Sequence, residues 1–439
     1  MVRRKTGIKI AVIGAGSPYT PMIVRELLNR QEALPVEKVC FFDIDHRRLS
    51  IVTDFCKRLV NDELSISSTR SVREAVDGAD FVLSQFRVGQ LEARHRDIKL
   101  GLKYGLIGQE TTGVGGFAKA LRTIPVTLKL CRTMRKYATK NTWLINFTNP
   151  SAIVTEAILK YGGVQCIGLC NGPWGIMKTI AHDFNVDLKD VRLDYVGTNH
   201  LGWVRGVHIV GNDCTKLARR KFHGIWRAKN IPDLTEDPIF ESTIGLPYNG
   251  YLHYYYYTES MLHKIKSKRY TRAQEALAIQ RVVLKKYANP GITDIPDELS
   301  KRGGSGYNIV AVNIIEAIVN NLGNYQIVNT ANNGAIAGVL SEAVVEITCC
   351  IGRTGAKPVP FGAVEPQFRG LLQVVKAYEE LTVEAGVKGD LSAALHALVI
   401  HPLGPTADKA TTLLKELIKI NHRYLPQFSA AKMRKFFKK

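Results

Sequence analysis

The feature that most constrains this chain is the apolar, β-branched run at 8–13, which ends abruptly in Gly14-Ala15-Gly16-Ser17. A strand that runs into such a turn with a helix beyond it lets the backbone approach a pyrophosphate and aims helix N-terminal amides at its charge. Ile23, Leu27 and Leu28 then recur at helical spacing, and 39–42 reads as a second strand, so the unit is βαβ. That second strand ends at Asp43, where a carboxylate can accept hydrogen bonds from an adenosine ribose; Asp45 is a second candidate. Gly14, Gly16, Ser17, Asp43 and Asp45 are therefore the expected contacts to a dinucleotide such as NAD. The bare motif is weak, since Tyr19 stands in place of the third glycine of GxGxxG, and a tight turn without a ligand is the alternative.

Further apolar runs at 81–86, 143–147 and 165–169 alternate with helical patterns, as in a parallel sheet covered by helices. Near residue 195 the pattern changes to β-rich segments at 192–196 and 203–210, an aromatic stretch at 251–257, and helical segments after Arg272 and Val339. The expected fold class is α/β: an N-terminal Rossmann-like, doubly wound parallel sheet over 1–195 and a C-terminal α+β domain over 196–439. The second domain would carry substrate, metal and oligomer contacts. There is no internal repeat and no low-complexity linker.

Composition narrows the function classes. The formal charge of +21, from 60 Lys+Arg against 39 Asp+Glu, raises the local concentration of anions. Nucleic acid is a less fitting partner than a dinucleotide and a sugar phosphate, because the basic residues are spread along the chain. Their one dense cluster is Lys432, Arg434, Lys435, Lys438 and Lys439, which reads as a solvated tail. The eight cysteines follow no framework of spacings, which predicts reduced thiols and a cytoplasmic enzyme. Arg3, Arg4 and Lys5 precede the first apolar run, but Gly14 and Gly16 cut it short, so it reads as a strand and not a signal peptide. No apolar stretch reaches about eighteen residues, so no membrane span is expected.

In an open parallel sheet, ligands bind beyond the carboxyl ends of the strands. Asp43, Arg87, Thr148-Asn149-Pro150 and Cys170-Asn171 all fall there. Singly, each has a plain structural explanation: Arg87 as a helix cap, Asn149 as a turn former, Cys170 as a small hydrophobe. Four on one rim point to a site. Cys170 and His200 form a plausible half-shell for a divalent metal with positions open to substrate oxygens, or else a Cys/His nucleophilic pair.

These residues resemble glycoside hydrolase family four, the NAD-dependent glycosidases that depart from the two-carboxylate mechanism. The resemblance is carried by Gly14-Ala15-Gly16-Ser17, Gly108-Gln109-Glu110-Thr111-Thr112-Gly113, Asn146-Phe147-Thr148-Asn149-Pro150 and Gly168-Leu169-Cys170-Asn171. It continues in Gly197-Thr198-Asn199-His200-Leu201, Tyr251-Leu252-His253-Tyr254-Tyr255, Arg302-Gly303-Gly304-Ser305 and His401-Pro402-Leu403-Gly404-Pro405. The likeness is nearest to the family's 6-phospho-β-glucosidases.

The resemblance implies a divalent metal, typically Mn²⁺, held by Cys170 and His200, which displaces the nucleophilic-pair reading. It makes Tyr251 the base, Glu110 the acid that raises the tyrosine's basicity, and Arg94, Asn149 and Arg272 the substrate contacts, the arginines at the phosphate. Taken alone, Tyr251 opens an aromatic run that suits a core, and Arg272 opens a helix. Asn171 stands where the family's α-specific members carry an aspartate as general acid, and Gly172-Pro173-Trp174-Gly175 replaces the usual Val-Pro-Ile-Gly, placing an indole near the site. The implied chemistry is oxidation of the sugar C3 by NAD⁺, removal of the C2 proton by Tyr251, elimination at C1, addition of water and return of the hydride. The implied substrates are phosphorylated disaccharides or aryl and alkyl phosphoglycosides, and the implied assembly is a homodimer or homotetramer. The alternatives are an NAD-dependent dehydrogenase of a hydroxy acid or sugar phosphate, with net NADH production, and a basic nucleic-acid-binding protein.

Overall fold

The structure is a computed structural model that describes residues 7–221, 231–304 and 306–438; Arg3, Arg4, Lys5, Ser305 and Lys439 lie outside the described residues. Six strands form a parallel sheet: β1 (Ile8–Ile13), β2 (Val36–Phe42), β3 (Ser65–Thr69), β4 (Phe81–Ser84), β5 (Trp143–Asn146) and β6 (Gln165–Gly168). Their order, β3-β2-β1-β4-β5-β6, is that of a doubly wound dinucleotide-binding sheet, with its reversal between β1 and β4. The core strands are apolar almost without a break, as expected of strands covered on both faces.

The sheet does not stop at β6. It continues in antiparallel fashion through β7 (Val191–Thr198), β8 (Leu201–Ile209) and β9 (Asn212–Asp213), with β10 (Asn324–Ala331), β11 (Val344–Gly352) and β12 (Gly355–Pro358). The order beyond β6 is β10-β11-β7-β8-β9, so residue 195 falls inside a strand and one sheet crosses the change of sequence pattern. The helix Pro366–Lys388 packs against the helices Gly113–Tyr137 and Ser151–Ala157. Among the described residues no helix is long and apolar enough to cross a membrane.

Two expectations need correction. The segment after Val339 is not helical: Val344–Gly352 is the strand β11, and a helix begins only at Pro366. A strand buried on both faces shows no alternation, so periodicity alone cannot separate it from a buried helix. Four further strands, β3, β9, β10 and β12, lie outside the apolar runs of the sequence: Ser65–Thr69 and Asn324–Ala331 are rich in polar residues, and Asn212–Asp213 and Gly355–Pro358 are short. The aromatic stretch is a 3-10 turn, Gly250–Leu252, followed by the short helix His253–Tyr256.

Candidate functional site

The glycine turn is built against the end of β2. The amides of Gly14 and Ala15 both donate to Phe42 O, at 2.8 and 3.0 Å, and the amide of Gly16 donates to Asp43 Oδ2 at 2.9 Å. Gly14 has φ +91°, and a Cβ there would lie 2.9 Å from the backbone of Phe86, so both conformation and space demand glycine. Asp43 is buried and also accepts from the amide of Asp45 at 2.9 Å. Asp45 accepts from the amide of Arg48 and caps the helix His46–Val60. Tyr19, which replaces the third glycine of the fingerprint, lies beneath the guanidinium of Arg302, 5.1 Å from its ring centroid.

A cleft of about 620 Å³ opens above this turn. Of the residues expected to act, Gly14, Ser17, Asp43, Arg94, Glu110, Asn149, Asn171, His200, Tyr251 and Arg272 line it. Gly16, Asp45 and Cys170 do not: Gly16 is turned onto Asp43, Asp45 is spent on its cap, and Cys170 is buried behind Asn171 and Gly172. Trp174 is also absent from the wall. A Cβ on Gly306 would fall 2.5 Å from its ring, so the indole supports the backbone that leads into Tyr307.

The helix Gly113–Tyr137 begins against the loop that carries Glu110 and Thr111. A Cβ on Gly115 would lie 2.0 Å from Gln109 O, which is why small residues open this helix. Glu110 is gripped by Arg94 at 3.1 Å, by Lys119 at 3.2 Å and by Arg87. The Nε of Arg94 is buried with no acceptor among the described residues. Burial, with Arg272 and Arg302 nearby, pushes the Arg94 guanidinium down to about 10 against the pull of Tyr251. Arg272 donates to Arg302 O at 2.7 Å and to Glu275 at 3.0 Å. Three buried or half-buried guanidinium groups thus meet at one wall, an arrangement that favours an anionic ligand.

His200 sits at the tip of the β7–β8 hairpin with φ +67°. Its Nδ1 lies 2.7 Å from Thr111 Oγ1, and Thr111 spends its only hydroxyl hydrogen on Gln109 Oε1 at 2.8 Å. Thr111 must then accept from Nδ1–H, which leaves the Nε2 lone pair of His200 available to a cation. Burial, together with the Lys119 cation, pushes this imidazole down to about 3, so it is neutral. Tyr251 stacks on it, with ring centroids 3.8 Å apart and planes within 1°. The amide of Tyr251 donates to Asn249 Oδ1 at 3.1 Å, the cap of its turn.

Cys170 caps the helix Asn171–Phe184, its Sγ accepting from the amide of Gly172 at 3.4 Å. Burial, with Glu346 nearby, raises its thiol well above the ordinary range; the Gly172 amide, Asn199 and Tyr307 pull the other way. Asn199, which lies near this thiol, immediately precedes His200. A buried sulfur that needs a cation to ionise and a neutral imidazole with an available lone pair are donor types that fit a divalent metal. Among the described residues no third His, Cys, Asp or Glu completes a cluster, so further donors would come from a ligand.

Several cleft residues escaped sequence reasoning. Thr111 stands inside the segment Gly108-Gln109-Glu110-Thr111-Thr112-Gly113 but without a role of its own, and Lys119 carries no signal, since a lysine in a helix is ordinarily solvated. Tyr307, whose hydroxyl lies near Asn149 and Cys170, reads as a helix-opening aromatic. Arg302 and Arg87 were visible, the first within Arg302-Gly303-Gly304 and the second at a strand end, but only the fold assembles them with Arg94 and Arg272.

Comparison with known proteins places this geometry. Residues 9–186 match the model of family 4 glycosyl hydrolases, and residues 195–404 match that of the family 4 glycosyl hydrolase C-terminal domain. The chain is 40% identical over 419 residues to a 6-phospho-beta-glucosidase of Thermotoga maritima, covering 95% of this chain and 99% of that one. It is 38% identical over 434 residues to a probable 6-phospho-beta-glucosidase of Bacillus subtilis, covering 96% and 98%. A solved structure of the Thermotoga maritima 6-phospho-beta glucosidase with manganese, NAD+ and glucose-6-phosphate superposes with a TM-score of 0.88 at 37% identity, over 95% of this chain and 99% of that one. The chain, with a doubly wound sheet and a glycine turn beneath one cleft, belongs to the family 4 glycosyl hydrolases.

Proposed function

We propose that this protein hydrolyses 6-phospho-β-glucosides, with NAD and a divalent metal, Mn²⁺ foremost, as cofactors. The observation that carries this reading is the meeting of Arg94, Arg272 and Arg302 in the same cleft as the stacked Tyr251 and His200, above the dinucleotide turn. When bound, the nicotinamide exchanges a hydride with the sugar and the metal polarises its oxygens.

The chain's own residues divide the remaining work. Gly14 and Ser17 offer the turn to the pyrophosphate, while Gly16 fixes the turn onto Asp43, which faces the ribose. The arginines bind the phosphate group, and Asn149, at the cleft wall beside Tyr307, orients the sugar. Cys170 and His200 hold the metal. Tyr251 removes the proton from C2, with the His200 ring fixing its plane and Arg94 favouring its phenolate. Glu110, neutralised by three cations, is better suited to anchor Arg94 beside Tyr251 than to act as a free base. Asn171 at the cleft wall supports β-selectivity, because an amide cannot donate a proton as a carboxylic acid does. The eight free cysteines support a cytoplasmic location.

A panel of nitrophenyl 6-phosphoglycosides, each with and without NAD⁺ and Mn²⁺, tests the proposal. Cleavage of 6-phospho-β-glucosides that disappears on chelation and without NAD⁺ is expected. Preferential cleavage of α-anomers, equal turnover of unphosphorylated glycosides, or net NADH production from a hydroxy acid would sink it.

A further inference from the structure

Glu346, near the start of β11, is fully buried and has no place in the chemistry above. It lies in a row across the sheet. Gly168 of β6 pairs with Asn329 of β10, Asn329 with Glu346, and Glu346 with Gly197 of β7. The row therefore ends two residues before Cys170 on one side and three before His200 on the other. A buried carboxylate at such a point must have its acceptors filled.

They are filled by three donors. Asn199 Nδ2 and Asn329 Nδ2 reach Glu346 Oε1 at 3.1 and 3.0 Å, and the hydroxyl of Tyr195 reaches Oε2 at 3.2 Å. Two of these arms, through Asn199 and Tyr195, run on toward the cleft. Asn199 accepts from the amide of Ser151 at 3.2 Å and leads directly into His200. The Tyr195 hydroxyl accepts from Asn249 Nδ2 at 3.4 Å, and Asn249 Oδ1 holds the amide of Tyr251 at 3.1 Å. Gly202 keeps this line open, since a Cβ there would lie 2.3 Å from the Tyr195 hydroxyl.

We propose that Glu346 is a positioning residue that ties the turn carrying His200 to the turn carrying Tyr251, so that the two stacked rings keep one geometry. The inference rests on the reading of Tyr251 as base and His200 as metal donor. It assigns Glu346 no contact with substrate or cofactor.

Glu346→Gln and Tyr195→Phe test it. A glutamine can keep its carbonyl on the two asparagines, but its amide then meets the Tyr195 hydroxyl as a donor and leaves that hydroxyl's proton without an acceptor. Tyr195→Phe deletes the same link by one oxygen. Both variants should lower kcat for a nitrophenyl 6-phospho-β-glucoside by roughly tenfold or more while KM and NAD⁺ affinity change little. The double variant should be no worse than either single one, because both cut one chain of contacts. Without substrate, amide exchange at 249–252 should quicken roughly tenfold while the rest of the chain is unchanged.

The exchange measurement does not depend on turnover, so a wild-type protein that hydrolyses nothing would fail the functional reading alone. Unchanged exchange at 249–252 in Tyr195→Phe, kcat within threefold of wild type, or additive losses in the double variant would overturn the role of Glu346. If Glu346→Gln does not fold, Tyr195→Phe decides by the same measures.

Discussion

Replacing Thr111 by valine changes one hydroxyl to a methyl at nearly constant volume, yet it should cost the protein most of its metal affinity. The hydroxyl accepts from His200 Nδ1 at 2.7 Å and donates to Gln109 Oε1 at 2.8 Å. Gln109 Oε1 still accepts from the amides of Thr111 and Thr112, so the loss falls on His200. A buried N–H left without an acceptor costs about 1–3 kcal/mol. The ring avoids that cost by moving its proton to Nε2, which removes the lone pair a cation needs. Either way Mn²⁺ binding should weaken about 10–100-fold, the range found when the partner of a metal-binding imidazole is removed. Titration of Mn²⁺ by calorimetry or by its paramagnetic resonance measures this directly, with NAD⁺ affinity as the control. Thr111→Ser keeps the hydroxyl and should bind Mn²⁺ as the wild type does. If Thr111→Val binds Mn²⁺ within twofold of wild type, the hydrogen bond does not set the tautomer and His200 is misread.

Three further outcomes are expected. Tyr251→Phe should lose most hydrolysis yet still bind NAD⁺ and metal, and wild-type turnover in D₂O should place deuterium at C2 of the sugar phosphate; retained C2 hydrogen with a fully active variant refutes the base. Arg272→Met should raise KM for phosphorylated substrates by at least roughly tenfold with a smaller effect on kcat, since a remote binding contact is lost; an unchanged KM removes Arg272 from the phosphate site. His401 is buried, accepts from the amide of Leu403 at 2.9 Å, and is pushed down to about 3 by burial. The unfolded chain, with an imidazole near 6.5, binds the extra proton first as pH falls, so stability should decline below about pH 6.5 by up to about 1.4 kcal/mol per unit for this group. His401→Gln should flatten the dependence of Tm on pH between about 6.5 and 4.5, and an unaltered slope would clear His401 of the effect.

The parts of this protein that its sequence determined alone are those whose physics is local. The strand at Ile8–Ile13, the turn at Gly14 and Gly16 and the carboxylate of Asp43 lie within one βαβ unit, where chain order nearly dictates contact. The rim residues at the ends of β4, β5 and β6 were readable for the same reason, because parallel strands put their carboxyl ends on one edge. What lay beyond was long-range. Asp45 stands as a second, weaker candidate beside Asp43 until the helix start claims it as a cap. Nothing near Lys119 says that it reaches Glu110, and nothing in the run around Glu346 says that it is a strand carrying a buried carboxylate between Asn199, Asn329 and Tyr195. A polar side chain looks alike in sequence whether water or protein completes its hydrogen bonds. Only the tertiary structure, by excluding water from the antiparallel half of the sheet, decided which of these groups must satisfy one another and so which of them shape the site.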